Sequence, residues 1–173
     1  LHEQLADYYD GRCKSIGNED PKWESSEWVR SAFGRAYHRL MSAPHTQWPL
    51  LLGSISANLH HLPQYGALIQ EFVQDSLLEK ELSPSQLADL SLIASSLKEV
   101  NLHGWPAWLP LLDRLVELSF LFPDKAHVVY HMRGQHYRNL GNFDSAMADF
   151  DHVLARNPKN VSCLLQKGIT YRY

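Results

Sequence analysis

From His127 to Pro158 the sequence reads HVVYHMRGQHYRNLGNFDSAMADFDHVLARNP, and its spacing admits little besides two helices packed face to face. Tyr130, Gly134 and Tyr137 fall on one face of a first helix. The missing side chain at Gly134 lets a second helix approach closely there. Ala146 and Phe150, one small and one large, form the reciprocal face of that second helix. Gly141 ends the first helix and Pro158 ends the unit. A lone pair of this kind leaves its apolar face uncovered, so the pattern also implies stacked neighbours.

With Phe143 and Leu154 added, these landmarks resemble a tetratricopeptide repeat, a helix–turn–helix unit of about 34 residues. The resemblance is fullest over residues 126–173, where Leu164, Gly168 and Tyr171 repeat the spacing of Tyr130, Gly134 and Tyr137. It extends over residues 83–124. There Leu90, Ile93, Ala94 and Leu97 stand for a first helix, and Leu111, Leu115 and Pro123 match Ala146, Phe150 and Pro158 across a stretched turn. Before residue 83, Leu52, Ile55, Ser56, Leu59, Leu68 and Phe72 fit only loosely. The resemblance implies an all-α protein, a right-handed α-solenoid of antiparallel helix pairs. Residues 1–82 are its divergent part and 83–173 its repeat-like part with an incomplete last repeat, in one continuous domain.

Elsewhere apolar residues also recur at helical intervals, without strand alternation. The pattern predicts a short helix over residues 2–9 stopped by Gly11, a loop to Pro21, and a helix from a Ser25 or Ser26 cap to Met41 with Trp28, Phe33, Tyr37 and Leu40 inward. Ala43, Pro44 and His45 break the chain, and Pro49 suits the first turn of a helix over residues 48–62. A partner over residues 63–81 buries Leu68, Phe72 and Leu77. Ser83 and Pro84 open another, carrying Leu87 to Leu97, residues 101–105 turn, and a helix runs from Pro106 to Phe122.

A length of 173 residues allows one substantial core. The net charge of −3 argues against a dedicated nucleic-acid binder. The most apolar stretch, residues 109–122, is interrupted by Asp113, Arg114 and Glu117, so it reads as a buried helix and no membrane span is expected. Cys13 and Cys163 sit near opposite ends and in no C-x-x-C pair, which reads as two unpaired structural thiols and leans toward a reducing, cytoplasmic setting. The chain starts at Leu1 and stops at Tyr173 inside a repeat-like helix, so we read it as a fragment of a larger protein.

Chemistry-bearing constellations are sparse. His127 and His131 stand one turn apart but lack a third ligand or an H-E-x-x-H arrangement, His136 points to another face, and His60 and His61 diverge. Asp149 and Asp151 flank Phe150 and read as a solvated surface. Asn160-Val161-Ser162 matches a glycosylation acceptor, yet Asn160 reads better as a helix cap. There is no Gly-rich phosphate loop and no nucleophile elbow. No catalytic residue, metal or cofactor is assigned, and the chain is read as not an enzyme. The five tryptophans, Trp23, Trp28, Trp48, Trp105 and Trp108, read as packing between helices.

The resemblance implies that the first helices of successive repeats line a concave groove. On the first such helix the residues left over from packing are Val128, His131, Gln135 and Arg138, and on the next Ser162, Leu165, Ile169 and Arg172. This stripe is polar at one end and apolar at the other, as an extended peptide or a partner helix requires. Repeats that clamp the C-terminal carboxylate of chaperone tails carry Lys and Asn one turn apart where this chain has His131 and Gln135, which argues against that ligand. The expected function is a non-catalytic protein- or peptide-binding scaffold. The alternative is the regulatory or substrate-recruiting arm of a glycosyl-, sulfo- or hydroxyl-transferring enzyme whose catalytic domain lies elsewhere.

Overall fold

The computed structural model describes residues 1–16, 25–75, 77–103 and 105–172. Among these residues all regular structure is helical and no strand occurs. The α-helices are α1 (His2–Ser15), α2 (Ser26–Ser42), α3 (Pro44–Ala57), α4 (Gly66–Val73), α5 (Leu78–Glu81), α6 (Pro84–His103), α7 (Leu109–Glu117), α8 (Ala126–Asn139), α9 (Phe143–Arg156) and α10 (Val161–Thr170). Short 3-10 turns occupy Leu62–Tyr65, Trp105–Trp108 and Ser119–Leu121. No helix among the described residues is long and apolar enough to cross a membrane.

Local chemistry sets most boundaries. The Ser25 hydroxyl accepts from the Trp28 N–H at 3.2 Å and starts α2. Ser83 and Gln86 cap each other before α6: the Gln86 carbonyl takes the Ser83 N–H at 2.9 Å while the Ser83 hydroxyl takes the Gln86 N–H at 3.3 Å. Asn142 caps α9 through the Ser145 N–H at 3.3 Å, and Asn160 caps α10 through the Cys163 N–H at 3.0 Å. Gly141, at φ +78°, ends α8 in the left-handed region that glycine enters without strain.

Two close crossings organise the helix pairs. In the first, a Cβ at Gly34 of α2 would lie 2.9 Å from Cζ of Tyr9 on α1, and Asp10 bonds Arg35 across the pair at 2.8 Å. In the second, Gly134 of α8 meets Phe150 of α9. Between these pairs lies the main core, which includes Leu40, Leu52, Leu97, Leu111, Leu115 and Met132. A smaller cluster joins Ala146, Phe150, Val153 and Cys163, with Tyr130, Tyr137 and Leu154 packed on it. Helix α8 serves both. It turns Val129 and Met132 toward the main core, and Tyr130 and Tyr137 toward α9.

The structure departs from the sequence expectations at several boundaries. Helix α1 passes through Gly11 to Ser15, because Asp10 and Lys14 pair one turn apart and Arg12 and Lys14 suit its C-terminal end. Pro44, not Pro49, takes the first turn of α3; its missing N–H would have had no helical partner there, and Pro49 sits within the helix. That helix stops at Ala57 instead of residue 62. The segment expected as one helix over residues 63–81 divides into a 3-10 turn, α4 and α5. At the break between α4 and α5 the Asp75 carboxylate accepts the Leu77 N–H at 2.9 Å and the Tyr37 hydroxyl at 2.8 Å. After this break Leu78 is the buried residue and Leu77 is exposed, contrary to expectation. Helix α6 runs on to His103, and the chain re-enters the α form only at Leu109. The expectations for the loop over residues 17–21, Trp23, Gly104 and Tyr173 fall outside the described residues, as does the packing of the Trp105 side chain.

Candidate functional site

Helix α8 carries three stripes. Ala126, Val129, Met132 and His136 are buried on one side, and Tyr130, Gly134 and Tyr137 face α9. Val128, His131, Gln135 and Arg138 lie between these faces and are each half-buried. On α10, Cys163 and Thr170 turn inward, Ser162 and Leu165 are exposed and Ile169 is half-buried, while Arg172 is exposed just past the helix end.

Helices α8 and α10 meet at two points, one of them between the stripes. The Ser162 hydroxyl lies 3.4 Å from Nε2 of His131, and Arg138 donates to the side-chain amide oxygen of Gln166. Arg138 also donates to the side-chain oxygen of Asn139 at 3.0 Å. Leu165 stays open, at 61% exposure. The His131 imidazole is held below the usual histidine range, first by burial and then by electrostatic repulsion from His60, His127 and Arg138. Every charge acting on it is basic. His60, from the connection after α3, thus stands near the stripe although sequence spacing gave no reason to place it there.

Behind the stripe Arg133 ties three helices. It donates from Nε and Nη2 to the Asp149 carboxylate at 2.8 and 2.7 Å, and from Nη1 to Asp113 of α7 at 3.0 Å. Its guanidinium lies over the rings of Tyr130 and Tyr137, at 5.6 and 5.5 Å from their centroids. Asp149 is therefore not the solvated residue its flanking position suggested: its side chain is buried against Arg133. Asp151 is exposed as expected and pairs with Lys167.

His136 is the residue that sequence reading missed. It is 2% exposed, its ring tilts over Trp108 at 6.2 Å between centroids, and burial pushes its pKa down to about 4. The signal was present, since His136 follows Met132 by one turn on the face that enters the main core. Trp48 and Trp108 are buried and Trp28 is half-buried. Both cysteines are buried free thiols, raised from their ordinary pKa chiefly by burial. Among the described residues no group of three or more His, Cys, Asp or Glu side chains gathers as a metal site.

Leu164, Gly168 and Tyr171 repeat the spacing of Tyr130, Gly134 and Tyr137, yet all three are exposed. Leu164 is 49% and Tyr171 73% exposed, and a Cβ on Gly168 would touch nothing within 4 Å. Compared with models of protein families, with curated proteins and with solved structures, the chain gives no match in any of the three.

Proposed function

We propose that this chain is a non-catalytic binding scaffold, a right-handed α-solenoid of tetratricopeptide-like helix pairs that holds an extended peptide along α8 and α10. The supporting observation is the adjacency of the two stripes, joined at the 3.4 Å approach of Ser162 to His131. Side by side they offer hydrogen-bonding groups at His131, Gln135 and Arg138 and an apolar wall at Leu165 and Ile169. An extended peptide needs that combination, polar groups for its backbone and an apolar strip for alternate side chains. Arg138 and Arg172 on these stripes favour a peptide carrying acidic side chains over a basic one.

The test is affinity capture with the immobilised chain, comparing wild type with His131→Ala, Arg138→Glu and Leu165→Glu. The same protein or peptide should be retained by wild type and lost from Arg138→Glu and Leu165→Glu. Equal retention by all four would remove the stripe as the binding surface.

A further inference from the structure

A separate cavity of about 330 Å³ lies among α2, α3, α4 and α6, away from the α8–α10 stripe. Its origin lies in two small side chains. Ala32 and Ala36, one turn apart, give α2 a face without bulk. Opposite them α3 presents Leu51 and Ile55, and Ile69, Phe72 and Ile93 close the far side. Leu51, Ile55 and Phe72 are only half-buried, so the cavity reaches solvent instead of sealing. Water in an apolar recess of this kind finds few hydrogen-bond partners and is readily displaced by an apolar group. The volume falls within the lower range of small-molecule pockets.

Charge indicates the chemistry of the occupant. Arg35 lines the cavity, and its Nη1 bonds Asp10 at 2.8 Å. Asp10 is shared with Lys14 at 2.6 Å and is approached by Arg39 at 4.0 Å. One carboxylate thus faces three cations, and the cluster that Arg35 joins to the cavity wall carries surplus positive charge. We propose that the cavity binds a small amphiphilic carboxylate, its chain or ring among Phe33, Ile55, Phe72 and Ile93 and its carboxylate against Arg35. Arg35 is suited to this role because its planar guanidinium can hold Asp10 on one edge and a second carboxylate on another.

The test uses the whole chain with methyl-labelled isoleucine, titrated with decanoate below its micelle concentration and with decan-1-ol. Saturable shifts confined to the methyls of Ile55, Ile69 and Ile93 are expected for both, with decanoate about tenfold tighter, the worth of a charge-assisted hydrogen bond. Arg35→Gln should erase that difference. Asp10→Asn breaks the same ion pair yet frees Arg35, so it should tighten decanoate and leave decan-1-ol unchanged. Ala36→Leu, which fills the cavity, should abolish both. Equal affinity for the acid and the alcohol in wild type, an Asp10→Asn variant that weakens decanoate, or shifts spread evenly across isoleucines outside the cavity would overturn the proposal.

Discussion

Phe150 occupies the space that a side chain at position 134 would need: a Cβ on Gly134 would come within 2.6 Å of its Cε1. Phe150 is 0% exposed, so its ring has no open side into which to retreat. Gly134→Ala should therefore destabilise the chain despite the better helix propensity of alanine. Overpacking costs about 1–3 kcal/mol and the propensity gain returns about 1 kcal/mol. Urea denaturation should show a net loss in the single variant and a partial recovery when Phe150→Leu is added. A Gly134→Ala variant more stable than wild type would mean that the crossing leaves room for a side chain at position 134.

Arg133 and Asp149 form the second link between those helices, and both lie largely out of solvent, with side chains 18% and 5% exposed. Removing either partner strands the other charge, a loss of about 3–5 kcal/mol for a buried pair. Arg133→Met should approach the upper end, because it strands the nearly buried Asp149, whereas after Asp149→Ala Arg133 still holds Asp113. The double variant Arg133→Met with Asp149→Leu should be less damaging than Asp149→Ala alone. Chemical denaturation of wild type, Arg133→Met, Asp149→Leu and the double variant completes a double-mutant cycle that measures the coupling.

His136 makes stability depend on pH in a defined window. The fold lowers its pKa to about 4, whereas an unfolded histidine titrates near 6.5. Below that value the unfolded chain takes up a proton that the native chain refuses, so stability is full at neutral pH and falls as the pH drops toward 4. Between pH 7 and pH 5 this one group accounts for about 2 kcal/mol. His136→Phe should flatten that part of the curve relative to wild type, measured by urea denaturation at each pH. His38 and His131 are shifted the same way and remain in both proteins, so the comparison isolates position 136.

The α8–α9 unit was legible because its signals are local and mutually consistent. Gly134, Gly141, Ala146 and Phe150 each have one low-cost conformation or neighbour, and the caps at Asn142 and Asn160 lie where their type predicts. What escaped depends on partners distant in sequence. Asp149 looks solvated until Arg133 is brought against it, and His136 looks exposed until Trp108 covers it. His60 joins the candidate site only because the connection after α3 returns toward α8. The cavity was invisible for the same reason: Ala32 and Ala36 are unremarkable in a helix until four helices arrange bulk around them.

The break between α4 and α5 gives a sharp test of register. A continuous helix over residues 63–81 would bury Leu77, yet Leu77 is 43% exposed and Leu78 0%. The Asp75 carboxylate produces this change by capturing the Leu77 N–H and the Tyr37 hydroxyl. That contact, with burial as the larger cause, also raises the Tyr37 pKa to about 12. Leu78→Ala should then cost about 2–5 kcal/mol, as for a buried leucine, while Leu77→Ala should stay within about 0.5 kcal/mol of wild type. Asp75→Ala should destabilise by about 1–2 kcal/mol through the lost hydrogen bonds. It should also move the Tyr37 titration, read by ultraviolet absorbance, back toward the ordinary tyrosine range. Equal losses at Leu77 and Leu78 would mean that the helix runs unbroken and that Asp75 does not set the register.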